Sequence, residues 1–111
     1  VSNGAVAVDS ATQQEIQILA GRVMTQIAQL FSARGIQPDA VQQQMLTSHV
    51  RAMALRSVTG EALPEVEAGL FEDISSDSMQ LAQQVVDLFG NLPLEETWLL
   101  SVHFEVAKNA E

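Results

Sequence analysis

Leu46-Thr47-Ser48-His49-Val50-Arg51-Ala52-Met53-Ala54-Leu55-Arg56 is the stretch on which the reading of this chain turns. It has the spacing of the second half of a helix, and it carries one of only two histidines. The other lies in Leu92-Pro93-Leu94-Glu95-Glu96-Thr97-Trp98-Leu99-Leu100-Ser101-Val102-His103-Phe104. The two stretches mirror each other. Arg56 follows His49 by seven residues, and Glu96 precedes His103 by seven. Seven residues are two helical turns, so each pair shares one helix face. Antiparallel packing with His49 level with His103 therefore sets Arg56 level with Glu96. That register brings two imidazoles together and places an ion pair about 10 Å away along the axis.

Working outward, the rest of the chain repeats helical spacing and shows no strand-like alternation. Thr12-Gln13-Gln14-Glu15 has the form of a capping box. Ile16, Leu19, Ala20, Val23, Ile27, Leu30 and Phe31 then recur on one face until Gly35. Pro38 suits the first turn of a second helix, with Val41, Met45, Leu46, His49, Val50, Ala52 and Met53 as its apolar stripe and Gly60 as its stop. Pro64 predicts a short third helix anchored by Val66, Leu70, Phe71 and Ile74, with Glu65, Glu67, Glu72 and Asp73 as a solvated acidic face. Ser75-Ser76-Asp77-Ser78 is rich in capping residues and opens a fourth, with Met79, Ala82, Val85, Val86 and Phe89 inward and Gly90 at its end. Asn91-Leu92-Pro93 turns into a fifth, where Leu92, Glu96, Leu99, Leu100, His103, Val106 and Ala107 share a side. Short connections favour antiparallel neighbours. The expected architecture is an all-α, compact five-helix bundle: residues 1–10 a loosely ordered segment, residues 11–111 one helical domain.

Composition narrows the function. A chain of 111 residues supports one core. Its net charge is −9, and the five basic residues, Arg22, Arg34, Arg51, Arg56 and Lys108, are scattered. Such a chain offers no electrostatic footprint for a nucleic-acid backbone, and an anionic membrane repels it. No apolar run reaches the length of a membrane span, and Val1–Asp9 lacks the basic start of a signal peptide. The absence of cysteine excludes disulfides and thiolate metal sites without fixing a compartment. It also removes one class of nucleophile, and no serine sits on a strand-to-helix elbow. Two histidines alone make a weak metal site, and Glu96 lies two turns from His103, so neither a metal nor a cofactor is expected.

The pairs His49–Arg56 and Glu96–His103 resemble the two motifs of the phosphotransferase-system regulation domain, or PRD, a five-helix module of bacterial antiterminators and transcriptional activators. The first motif is a histidine on the second helix with an arginine seven residues later, matched by His49 and Arg56. The second is an acidic residue after a proline turn, an apolar run, then a histidine and a hydrophobic residue, matched by Pro93, Glu96, His103 and Phe104. The resemblance runs from about Thr12 onward. Ser48 stands where many members have an acidic residue. Ala52 and Trp98 replace positions that are often bulky and often small, respectively.

The resemblance implies a cytoplasmic, non-enzymatic regulatory module. It implies that His49 and His103 accept phosphate from the histidine phosphocarrier protein or a sugar-specific enzyme II of the phosphotransferase system. It further implies a homodimer that signals to a downstream regulator. Members usually occur as tandem copies attached to an RNA- or DNA-binding domain, whereas this chain reads as a single stand-alone copy whose scattered basic residues give no direct nucleic-acid contact. Arg56 and Glu96 are then a supporting ion pair or a phosphate contact, with Arg51 a weaker candidate for the phosphate. Two other readings of the residues stay open. One is an adaptor bundle whose core histidines carry no phosphate. The other rests on Asp77-Ser78-Met79, which looks like the attachment motif of acyl carrier proteins, with Ser78 bearing the arm. A role for Ser78 as a helix cap explains the same residues.

Overall fold

Asp9 and Gly35 bracket the first helix. The computed structural model describes residues 9–108. Helix α1 runs Ser10–Arg34; the Asp9 carboxylate caps it by accepting from the Thr12 backbone N–H, and Gly35 closes it in the left-handed conformation. The cap thus lies three residues earlier than the Thr12 box that the sequence predicts. Most of the expected loose segment, residues 1–8, lies outside the described residues. Helix α2 runs Ala40–Thr59. Its N-terminus is a complete capping box, in which Asp39 accepts from the Gln42 backbone and Gln42 Oε1 accepts from the Asp39 backbone. Pro38 therefore precedes the cap instead of occupying the first turn. Helix α3 runs Ser76–Phe89 behind a Ser75 cap, and helix α4 runs Leu94–Lys108.

The expected third helix is a single 3-10 turn, Ala68–Phe71, so the described residues hold four α-helices rather than five. A helix must offset a costly first turn. Here Glu67 supplies no capping hydrogen bond, and Gly69 weakens helical propensity. Of the expected anchors only Phe71 is buried, against Trp98 with ring centroids 6.1 Å apart, while Leu70 is 73% exposed.

α1 packs most extensively on α2, and α3 on α4, giving two helical hairpins. Their shared core draws Ile16, Ala20, Val23, Ile27 and Phe31 from α1 and Leu46, Val50, Met53 and Ala54 from α2. α3 adds Leu81, Ala82, Val85 and Val86, and α4 adds Leu100, Phe104 and Ala107. Phe104 meets Phe31 edge to face across the two hairpins, with centroids 5.2 Å apart. The expected stripes hold at their centres and fail at their ends: Val41, Met45 and Val106 are exposed.

Helix α4 is tied along its length by polar contacts that position His103. Near its start, Glu96 bonds Arg56 of α2. One residue on, Thr97 donates to Gln83 of α3 at 2.9 Å. Near its end, Glu105 accepts from the Ser75 and Ser78 hydroxyls at 2.7 and 2.6 Å, joining α4 to the N-terminus of α3. These donors hold the Glu105 carboxyl well below its ordinary range, at about 2. Ser78 is buried and its hydroxyl is spent on Glu105, which removes it as a site for a prosthetic arm.

Candidate functional site: a histidine pair between two helices

His49 sits between Leu46, Val50 and Met53, the buried residues that seat α2 on the core. His103 follows Leu100 by three residues and precedes Ala107 by four, so the inward face of α4 carries it to the same level. The two imidazoles meet with ring centroids 4.8 Å apart and planes 32° from parallel. Both are half-buried and line a shallow, open depression with Gln44, Met45 and Ser48.

Two turns away, Arg56 Nε donates to Glu96 Oε2 at 2.6 Å and Arg56 Nη2 donates to Glu96 Oε1 at 2.7 Å. The fork-to-fork geometry matches guanidinium to carboxylate and fixes the register of α2 against α4. Glu96 is fully buried, while the Arg56 side chain keeps 15% exposure. The antiparallel register drawn from the two seven-residue intervals is the one observed. Beside it, Ser57 and Asn91 exchange two hydrogen bonds, of 2.6 and 2.9 Å, a tie between the hairpins that spacing alone does not reveal. Arg51 points elsewhere, into a groove with Ile16, Gln17 and Leu55 on the α1 side.

The electrostatics of the pair favour neutral rings. Burial lowers His49 from 6.5 to about 4, with His103 and the Arg56 charge pushing the same way, and burial lowers His103 as well. Each ring therefore presents a lone pair at neutral pH. His49 Nε2 is buried and has no hydrogen-bond partner, the only such side-chain nitrogen or oxygen among the described residues. Buried polar atoms in a purely structural role are almost always bonded, so this one stands out. Among the described residues no cluster of three or more His, Asp or Glu side chains could hold a metal ion. Both Glu96 oxygens are occupied by Arg56.

These shifts set a pH dependence. Between about pH 6.5 and 4 the unfolded chain binds protons that the folded His49 does not, so stability is intact above that window and declines as pH falls through it. The loss from His49 reaches up to about 3 kcal/mol at one 1.36 kcal/mol step per pH unit. Urea midpoints should thus drop between pH 7.5 and 4.5, and less steeply in His49→Gln. Equal midpoints across that range refute a buried neutral His49.

The fold and its site define a class: a small helical module that presents two facing, uncharged histidines beside a buried ion pair. No family model matches the chain, and comparison with curated proteins finds no match. Among solved structures, the crystal structure of a PRD-containing transcription regulator from Lactobacillus casei ATCC 334 superposes with a TM-score of 0.80 at 32% sequence identity, over 96% of this chain and 100% of that one. The chain belongs to the PRD family. No helix among the described residues is long and apolar enough to cross a membrane.

Proposed function

We propose that this domain is a non-enzymatic regulatory module whose His49 and His103 accept phosphate from phosphotransferase-system proteins. The observation that carries the reading is the pair itself: two neutral imidazoles 4.8 Å apart on an open depression, one of them with an unpartnered buried nitrogen. A structural histidine has no need of an open face, and it normally has a bonded partner.

In the transfer, an imidazole lone pair of His49 or His103 attacks the phosphorus of a donor phosphohistidine. The new P–N bond forms as the donor's P–N bond breaks. The leaving imidazole takes the electron pair and a proton, and the acceptor ring gives up its remaining N–H proton. The donor is the histidine phosphocarrier protein or a sugar-specific enzyme II. The phosphoryl group brings close to two negative charges to the α2–α4 seam of a chain already at −9. Arg56, on the His49 face, is the nearest cation on that helix face to offset them. Met45 lines the depression with the pair, and Val41, Val102 and Val106 are exposed on the same two helices; together they suit a homodimer contact that such charge would weaken. The output then passes to a downstream regulator.

The test is transfer from phosphoenolpyruvate through enzyme I and the phosphocarrier, with enzyme II added in a second series. Acid-labile phosphate on His49 or His103 is expected, absent from the matching His→Ala variant, with a shift in sedimentation of the phosphorylated chain. No phosphate with active carriers in either series sinks the proposal in favour of an adaptor bundle.

A further inference from the structure

We propose that His49 and His103 form a two-histidine site for a single divalent transition-metal ion of the zinc or nickel class. The argument is geometric. An imidazole nitrogen lies about 2.0–2.1 Å from zinc and the ring centroid roughly 1.1 Å further on, so two rings on one ion at about 90–109° hold their centroids roughly 4.4–5.2 Å apart. The observed separation is 4.8 Å. The two rings are thus close enough to share one ion once each imidazole turns about its side-chain torsions to aim a nitrogen at it.

Three features of the surroundings agree. His49 Nε2 is buried without a partner, so turning it toward the depression to meet a metal forfeits no hydrogen bond. The depression beside the rings is open to solvent, so water can fill the remaining coordination positions, with the Ser48 hydroxyl and the Gln44 amide at its rim. The net charge of −9 raises the local concentration of any cation. The absence of a third strong ligand among the described residues makes this an exchangeable site rather than a structural one. Zinc and nickel suit imidazole, whereas magnesium prefers oxygen ligands in an octahedral cage. A nitrogen that binds a metal cannot carry a phosphoryl group, so bound metal withdraws the pair from phosphate transfer. The metal site itself does not depend on that transfer taking place.

The chain has only two histidines, so imidazole-dependent binding reports on them directly, provided that no histidine tag is present. The experiment titrates the full, tag-free chain at neutral pH with zinc chloride and with nickel chloride by calorimetry. It follows the imidazole nitrogens of the unaltered chain by NMR alongside. We expect one ion per chain, both imidazoles shifting together, and no displacement by excess magnesium. Loss of one ring from a preorganised pair should weaken binding roughly a hundredfold, so His49→Gln and His103→Gln should each do so while keeping the helical circular-dichroism signal. No binding at millimolar metal overturns the proposal. So does a shift confined to one ring, a stoichiometry of one ion per two chains, or binding on surface carboxylates that survives when His49→Gln and His103→Gln are combined.

Discussion

Replacing Arg56 by methionine should destabilise the domain by about 3–5 kcal/mol, the cost of leaving a buried charge without its partner. Glu96 is fully buried, and both its oxygens accept from the one guanidinium. Methionine fills much of the same path along α2 but offers no donor. A domain of this size has roughly 5–15 kcal/mol of stability in total, so the loss should move the urea midpoint far. The double variant Arg56→Met, Glu96→Leu should recover most of it, because removing both charges removes the desolvation cost together with the attraction. A single-variant loss below about 1 kcal/mol would show that the pair does not offset the burial of Glu96. The double variant carries a second readout. It has a stable core but no register-setting fork, so the imidazole signals of His49 and His103 should change even where stability returns.

Phe104→Ala is the second large effect, at about 3–5 kcal/mol for an aromatic side chain truncated in a core. Phe104 is fully buried and packs edge to face on Phe31, so its loss opens a cavity at the seam between the two hairpins. Phe104→Leu keeps most of the volume and should cost far less, which separates cavity formation from the specific ring contact. The position also bears on function. Phe104 is the buried neighbour of His103 and holds the inward face of α4 against the core. Chemical denaturation measures the stability term. If Phe104→Ala and Phe104→Leu lose the same small amount, the ring does not carry the seam.

Much of the site was legible in the sequence because helix geometry is rigid. Two intervals of seven residues on two apolar stripes leave one antiparallel register that buries both stripes, and His49–His103 and Arg56–Glu96 follow from it. The helix stops were legible for a related reason, since Gly35, Gly60 and Gly90 all adopt positive φ where the chain must turn back. Helix starts were less so. Asp39-x-x-Gln42 was present as a pattern, yet Pro38 beside it offered a competing start. The stretch around Leu70 has helical spacing without enough buried area or capping to support a helix, and spacing cannot report area.

By itself, the sequence determined an all-helical chain, the four long helices and the faces that carry the two histidines, because these depend on local periodicity and on caps. Only the tertiary structure decided the 3-10 turn, the Ser75–Ser78–Glu105 tie and the exposure of Met45 and Val106. It alone revealed the unpartnered nitrogen of His49. Each of those depends on which atoms of distant segments arrive together and on how much water they exclude, and no spacing along one helix contains that information.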